Sequence, residues 1–169
     1  MPRPCDPSGT DAYAVRHNPA VYYPAITSQC ARWDVPLGSL SGGALARDVR
    51  AGALPAFATL TPDVEHDMHN GTVAEGDAWL RSWLPLITAG ADYRSGRLAI
   101  LIAWDEGFGG GDLRSHVPLL VLSAWTPPGT RSGVAYDDYS VLRTVEDLTG
   151  VTPLGRAAGA TSLAGAFHL

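Results

Sequence analysis

The sequence has no hydrophobic run long enough to cross a bilayer and no cluster of basic residues. A transmembrane helix needs about 20 consecutive apolar residues, and no segment reaches that length. The formal net charge is −5 at pH 7, which disfavours nucleic acid and anionic membrane surfaces as general partners, because both are negatively charged. The N-terminus, MPRPCDPSGTD, lacks the charged-then-apolar pattern of a secretory signal peptide. No internal repeat is visible, which argues against a repeat architecture.

Cysteine is scarce, since Cys5 and Cys30 are the two in the chain. Two cysteines alone make no zinc site, because a structural zinc ion takes four ligands. A disulfide between them would contribute about 3 kcal/mol and would suit an extracytoplasmic protein. The alternative is a pair of unrelated buried thiols, and the residues by themselves leave both interpretations open.

The length and composition predict one domain with a hydrophobic core over residues 1–169, of which 46% are hydrophobic. Apolar periodicity and helix-stop residues predict a mixture of strands and helices. The predicted strands are residues 54–60, 98–104 and 117–123; the predicted helices are residues 75–87 and 137–150, with a shorter one that ends at Gly52. This order predicts an α/β fold with at least partly parallel strand pairing.

The apolar stripes of these helices should face the core. The stripe residues are Leu40, Leu45 and Val49; Trp79, Leu80, Trp83, Leu84 and Ile87; and Val141, Leu142, Val145 and Leu148. Tyr22, Tyr23 and the pair Trp79–Trp83 could form a lipid-facing surface or belong to the core, and we interpret them as core residues. We expect the small and polar C-terminal segment, residues 155–169, to be frayed or to lie over the surface.

Two adjacent carboxylates, Asp105 and Glu106, directly follow a predicted buried strand in LAILIAWDEGFGGGD. Like charges in contact repel, and desolvating them is costly unless a cation or a donor compensates. Carboxylate oxygens suit Mg²⁺, Ca²⁺, Mn²⁺ or Zn²⁺, whereas the alternative is a solvated turn or helix cap. The glycine run that follows leads into no helix, so nucleotide binding is disfavoured.

The segment TPDVEHDMHNG contains five ionisable side chains within seven residues. They are Asp63, Glu65, His66, Asp67 and His69. The two histidines are three apart, which suits a metal only on a helix, and the spacing is not that of HExxH zinc peptidases. Because the segment follows a predicted strand, and because parallel strands share an edge at their carboxyl ends, we expect it to meet Asp105 and Glu106. His17, beside Asn18 and Pro19, is by itself more typical of a hydrogen-bonded loop histidine.

Several stretches resemble, in order, the phosphoesterase family of the alkaline-phosphatase superfamily, the group that contains bacterial phospholipases C and an acid phosphatase. They are MPRPC, YAVRHNPAVYY, TPDVEHDMHNGTVAEGDAWL, LAILIAWDEG, HVPLLVLS, YDDYSVLRTVEDLTGVTPLG and AFHL. The resemblance implies an alkaline-phosphatase-like sheet flanked by helices. It also implies hydrolysis of a phosphate ester at a metal centre, with a hydroxyl nucleophile that forms a phospho-enzyme.

The resemblance also assigns roles to individual residues. It implies that Asp105 and Glu106 are ligands of a divalent ion, and that His17 and His69 line the pocket and contact the phosphate or the leaving group. Cys5 and Cys30 match a pair that is bonded in secreted members, which implies a secreted or periplasmic location. The implied substrate is a small phosphate ester or a phospholipid.

Two departures from the family pattern affect the expected activity. Asp138 stands where members usually carry histidine. The family's first metal motif and its Ser or Thr nucleophile are not identifiable, and Met1 matches an internal methionine, so the chain resembles the C-terminal part of the fold with the N-terminal half missing. A misplaced start, a truncated gene or a split protein would each explain this. We expect the chain alone to be weakly active or inactive, and the alternative is a non-catalytic α/β remnant or binding module.

Overall fold

A computed structural model describes residues 1–107 and 116–169. Its α-helices are α1 (Thr27–Trp33), α2 (Ala44–Ala51), α3 (Val73–Thr88), α4 (Ala91–Arg94), α5 (Asp138–Thr149) and α6 (Ala164–Phe167), and its strands are β1 (Ala99–Ala103) and β2 (Leu119–Ser123). Short 3₁₀ helices lie at Val15–His17, Pro19–Tyr22, Pro24–Ile26 and Gly155–Gly159. Among the described residues, none of the helices combines the length and the apolar character that a bilayer crossing requires. The α/β class is confirmed.

The chain divides into two compact units, Met1–Ala91 and Asp92–Leu169. Each unit has fully or nearly fully buried apolar side chains of its own, such as Ala46 and Val49 in the first and Ala157 and Leu163 in the second. The prediction of a single domain over residues 1–169 stays a prediction.

In the first unit, α2 contacts α3; α2 ends at Gly52 as predicted, whereas α3 begins two residues before the predicted start at residue 75. Gly52 ends α2 in the left-handed conformation, with φ of 60°, which glycine adopts without the steric cost of a Cβ. Thr72 caps α3: its side chain accepts from the backbone N–H of Glu75, while the Glu75 carboxylate accepts from the backbone N–H of Thr72. Because this reciprocal pair satisfies two otherwise unpaired donors, it fixes where α3 begins.

Most of the predicted core residues of α2 and α3 are at least partly buried. Leu45, Val49, Trp83 and Ile87 are buried, and Trp79 is half-buried, with its ring centroid 6.1 Å from that of Trp83. Leu40 is the exception, since it precedes α2 and is 40% exposed. A residue outside the helix does not follow the helical periodicity, so its inclusion in the stripe was wrong.

The prediction that Tyr22 and Tyr23 belong to the core was also wrong. The two side chains are 59% and 58% exposed. They lie at the end of the 3₁₀ helix Pro19–Tyr22 and immediately before Pro24. Proline on both sides fixes a tight path for the backbone, and that path leaves both rings on the surface.

The second unit contains a two-stranded antiparallel sheet of β1 and β2, and the described residues form no other sheet. Ala99 pairs with Ser123 and Ala103 pairs with Leu119. The positions of two predicted strands are therefore confirmed to within two residues, but the predicted parallel pairing is wrong. An apolar run indicates how many faces of a strand are covered, and it does not determine the direction of the neighbouring strand.

Residues 54–60, predicted as a strand, are not a strand in the structure. A strand needs a partner for its backbone N–H and C=O groups, and no described strand lies beside this segment. Pro55 removes one of the donors that such pairing would use, and Phe57 and Leu60 are 56% and 38% exposed. The argument that two parallel strand ends meet at one sheet edge is wrong for the same reasons.

The C-terminal segment packs against α5, so the first of the two alternatives for residues 155–169, that they are frayed, was wrong. Leu163 is fully buried, and its backbone N–H donates to Thr144 Oγ1 at 2.8 Å. Thr144 in turn donates to the Ser140 carbonyl at 2.7 Å. The buried face of α5 therefore carries Ser140 and Thr144, whose polar groups are satisfied by these hydrogen bonds. Leu142 and Leu148, which were predicted to face the core, are instead 40% and 47% exposed.

Candidate functional site

The bend at residues 63–71 brings the histidine-rich segment against the N-terminal loop of the same unit. The backbone N–H of Val64 donates to the carbonyl of Ala12 at 3.1 Å, and Val64 is 3% exposed. The bend then closes on itself, because the N–H of Asn70 donates to the carbonyl of Val64 at 2.8 Å. One backbone hydrogen bond beside a buried side chain therefore joins segments that lie about fifty residues apart.

Glycine at position 71 is required for the bend to close. A Cβ at Gly71 would overlap the carbonyl oxygen of Glu65. A second adjustment occurs at Met68, whose φ is +73°, a conformation that is uncommon for a residue with a side chain. The bend is thus a specific, tightly packed loop directly before the capped start of α3.

His17 is held from the other side by its neighbour Asn18. The Asn18 side chain is 8% exposed and donates to Asp34 Oδ2 at 2.7 Å and to the Tyr13 hydroxyl at 3.0 Å. The disulfide between Cys5 and Cys30 lies in the same part of the unit, and the backbone N–H of Cys5 donates to the carbonyl of Asp34 at 2.9 Å. The alternative of two unrelated thiols is therefore wrong.

The structure brings His17 and His69 together. Their ring centroids are 6.1 Å apart in an edge-to-face arrangement, with an interplanar angle of 79°. Asp67 Oδ2 lies 3.1 Å from His17 Nδ1, and Asp67 Oδ1 accepts from the backbone N–H of His69 at 2.8 Å. The Arg16 guanidinium donates to His69 Nε2 at 3.3 Å. We call Arg16, His17, Asp67 and His69 the histidine cluster.

His66 does not join the histidine cluster in any described contact. Its Nδ1 lies 2.6 Å from Asp63 Oδ1, in a pair whose side chains are about 40% exposed. Burial acts to raise the pKa of Asp63, but the hydrogen bonds from the His66 side chain and backbone outweigh it and hold that pKa below its usual range. The Asp63–His66 pair is thus a local, solvent-exposed contact, and it lies on a segment that forms turns and no helix.

Asp105 and Glu106 lie in the second unit, directly after β1, and we call them the acidic doublet. Both residues are exposed, and neither carboxylate has a hydrogen bond or ion pair within residues 1–107 and 116–169. Carboxylate oxygens are ligands of the type that a hard divalent cation prefers, and the assignment of the doublet to a metal site stays a prediction. The doublet and the histidine cluster belong to different compact units, and their meeting stays a prediction.

Three other features that stood out in the sequence are not part of the candidate site as the described residues define it. Apart from Gly107, the glycine run 107–112 lies outside the described residues. Asp138, which stands where the resemblance expects histidine, is an exposed residue in the first turn of α5. Cys5, Cys30 and Asp34 come close enough for a metal site, but the sulfurs are bonded to each other, so no thiolate is free to bind an ion.

Sequence reasoning missed the roles of Arg16 and Asp67 in the cluster. Asp67 stood out only as one of several acidic residues in the bend, and Arg16 did not stand out at all. Their neighbours in sequence did carry a signal, because each lies within two residues of a histidine that the family resemblance places in the pocket. The contacts themselves depend on the tertiary pairing of Val64 with Ala12 and cannot be read from spacing.

Comparison with known proteins agrees with the residues that form these clusters. The phosphoesterase family model matches residues 6–152, which include the histidine cluster, the acidic doublet and α5. The chain belongs to the phosphoesterase family. This confirms the family suggested by the motifs around His17, His69 and Asp105.

Three curated relatives are phosphatases by name. A phosphatidylinositol-3-phosphatase of Mycobacterium tuberculosis is 32% identical over 63% of this chain and 34% of its own length. An acid phosphatase of Aspergillus fumigatus is 30% identical over 85% of this chain and 32% of its own, and a probable acid phosphatase of Kluyveromyces lactis is 28% identical over 87% and 34%. The chain therefore spans about a third of the length of these relatives. No solved structure matches it.

Proposed function

We propose that this chain supplies part of the active site of a phosphatase that hydrolyses phosphate esters through a divalent metal centre. The observation that carries the proposal is the contact between His17 and His69, whose rings lie 6.1 Å apart although they come from distant segments. Family membership over residues 6–152 supports it. Because the chain spans only a third of its curated relatives, the activity of a whole enzyme goes beyond what these residues supply alone.

In this proposal the histidine cluster binds the phosphoryl group. Arg16 supplies a permanent positive charge, and guanidinium groups recognise phosphate oxygens well because of their charge and their several donors. His17 and His69 donate to phosphate oxygens or protonate the leaving oxygen of the ester. The exposure of Arg16 and His69 leaves the cluster accessible to a substrate from solvent.

Asp105 and Glu106 are the residues that would hold the divalent ion. When bound, such an ion stabilises negative charge on the transferring phosphoryl oxygens and lowers the pKa of an attacking hydroxyl. The two carboxylates keep the surroundings negative in its absence, which would disfavour phosphate binding. We therefore expect phosphate affinity to rise when the ion is present, if the doublet and the histidine cluster serve the same phosphate.

The proposed substrates are phosphate monoesters, either small molecules or the phosphorylated headgroups of lipids. Relatives named acid phosphatase and phosphatidylinositol-3-phosphatase support this class. A phospholipase C type of cleavage is the broader alternative that the family resemblance allows. The disulfide supports a secreted or periplasmic location, because such bonds persist mainly in oxidising compartments.

Calorimetric titration of the full chain with inorganic phosphate, with and without Mn²⁺, tests the proposal directly. We expect measurable phosphate affinity that increases with Mn²⁺ and falls about tenfold or more in His17→Ala, in line with the loss of a hydrogen bond to a charged group. His66→Ala is the matched control, because His66 lies on the same bend outside the histidine cluster. Equal phosphate affinity for wild type and His17→Ala would contradict the proposal.

A colorimetric phosphatase assay with added Mn²⁺, Ca²⁺ or Zn²⁺ tests the expected level of activity. We expect weak or no turnover from this chain, because its residues include no assigned nucleophile and because losing one member of a cooperating catalytic group costs several orders of magnitude. Turnover comparable to that of the longer relatives would contradict this expectation. Absence of both phosphate binding and turnover would favour the alternative of a non-catalytic α/β remnant.

A further inference from the structure

We propose that Asp67 is a positioning residue that holds His17 and His69 in a fixed mutual arrangement, an inference that rests on the proposed function of the two histidines. The Asp67 carboxylate contacts both: Oδ2 lies 3.1 Å from the Nδ1 atom of His17, and Oδ1 accepts from the backbone N–H of His69 at 2.8 Å. One carboxylate therefore joins two histidines that are about fifty residues apart in the chain.

The backbone of Asp67 is itself fixed, which lets its side chain act as a support. Its N–H donates to the carbonyl of Asp63 at 2.8 Å, and its side chain is 18% exposed. The neighbouring turn is held by Asn70 and Val64, as described above. A half-buried carboxylate with both oxygens engaged loses little further conformational freedom when substrate binds, which is how a supporting group pre-organises a site.

Asp67 also determines which nitrogen of His17 is free for a substrate. A carboxylate oxygen accepts and never donates, and two lone pairs facing each other at 3.1 Å would repel. The ring hydrogen of neutral His17 therefore lies on Nδ1, and Nε2 is the nitrogen that makes no hydrogen bond or ion pair with a described residue. His69 is held differently, since its Nε2 accepts from the Arg16 guanidinium.

The competing interpretation is that Asp67 only stabilises a local turn. Its hydrogen bond to the His69 N–H, two residues later, is a contact of that kind. The contact with His17 is not, because it joins two separate segments. Asp63 offers a matched comparison on the same bend: it also pairs with a histidine and accepts a backbone N–H, but its histidine is only three residues away.

The experiment is nuclear magnetic resonance of the full chain with ¹⁵N-labelled histidine. It reads the protonated nitrogen of each ring and the cross-relaxation between the ring protons of His17 and His69. In the wild type we expect the His17 hydrogen on Nδ1 and a detectable contact between the two rings. Asp67→Asn should lose the Nδ1 preference and weaken the ring contact, because an amide can donate to Nδ1 as well as accept from it. Asp67→Glu should restore part of the preference, because it keeps the charge.

Asp63→Asn is the control: it should change the signals of His66 and leave those of His17 and His69 unchanged. Unchanged His17 and His69 signals in a folded Asp67→Asn variant would overturn the inference. If that variant does not fold, the wild type decides, because a His17 hydrogen on Nε2 would also overturn it.

Phosphate titration separates failure of this inference from failure of the proposed function. If Asp67 positions a phosphate-binding pair, Asp67→Asn should weaken phosphate affinity about tenfold, the usual size of the loss of a supporting contact, while Asp63→Asn should not change it. If the ring signals change in Asp67→Asn but phosphate affinity is the same in wild type and His17→Ala, the positioning role is supported and the phosphate-binding function is contradicted. If phosphate affinity falls in His17→Ala but not in Asp67→Asn, the phosphate-binding function is supported and the positioning role is contradicted.

Discussion

The histidine cluster and the acidic doublet differ in how completely the chain itself builds them. The cluster is held by two backbone hydrogen bonds of Val64, by the buried Asn18 side chain and by the carboxylate of Asp67. The doublet follows β1 with both carboxylates exposed and without a described partner. A cluster with satisfied polar groups is organised before any ligand arrives, whereas adjacent unpaired carboxylates gain a compensating charge only when a cation binds.

This difference teaches which half of the proposed site depends on its ligand. Substitutions at the doublet should change metal binding and leave the fold of the first unit intact. Substitutions that loosen the supports of the cluster should change its geometry and the stability of the first unit while sparing metal binding. The predictions below test that separation, from the largest expected effect to the smallest.

The largest effect should follow from removing the charge of the doublet. We expect the double variant Asp105→Asn, Glu106→Gln to lose measurable Mn²⁺ affinity, because neutral amides are much weaker ligands for hard cations than carboxylates. Calorimetric titration with Mn²⁺ measures this. The contact between the His17 and His69 rings should persist in the same sample, and unchanged Mn²⁺ affinity would remove the doublet from the metal site.

Loss of the disulfide should destabilise the first unit. Cys5 and Cys30 are 25 residues apart in sequence, and we expect Cys30→Ala to lower the free energy of unfolding by about 3 kcal/mol, because the open loop gains entropy in the unfolded chain. Urea unfolding of the oxidised wild type and the variant measures the difference. A Mn²⁺ affinity that fell together with stability would contradict the independence of the two clusters.

A smaller effect should follow from Gly71→Ala. The added methyl would overlap the carbonyl of Glu65, and we expect a loss of about 2 kcal/mol in the free energy of unfolding, typical of overpacking. Gly133→Ala is the matched control, because a Cβ at Gly133 meets no atom within 4 Å. Equal stability of the two variants would show that the bend can open without cost.

The smallest effect concerns the acid sensitivity of the start of α3. Hydrogen bonds from the backbone and side chain of Thr72 hold the pKa of Glu75 below its usual range. Because the folded pKa is the lower one, this carboxylate stabilises the protein above its unfolded pKa, and the contribution is lost as the pH falls through the folded pKa. The difference in Tm between wild type and Glu75→Gln should therefore shrink on acidification. A difference that grew would contradict the capping role.

The sequence predicts the helices of this fold much better than its strand pairing. Gly52 and Gly150 mark helix ends through a local, left-handed backbone conformation, so their signals survive in the folded chain. The direction of β2 and the absence of a strand at residues 54–60 depend on neighbours that are distant in sequence. The same holds for the buried face of α5, which the C-terminal segment determines.

The candidate site follows the same rule. The histidines were found because their types and order match a family, but the support of His17 by Asp67 arises only when two segments pair through Val64 and Ala12. Spacing within the bend suggested several acidic partners and could not select among them. Residue types therefore point to the chemistry, whereas the contacts that tune it require the fold.

The central proposal is that the acidic doublet and the histidine cluster serve one phosphate with one divalent ion. Titrating the full chain with Mn²⁺ while observing the ring protons of His17 and His69 tests it most directly, because a paramagnetic ion broadens the signals of nearby nuclei. We predict that both signals broaden at stoichiometric Mn²⁺, and that the broadening disappears in Asp105→Asn. Signals that stay sharp while Mn²⁺ binds at Asp105 would contradict the claim.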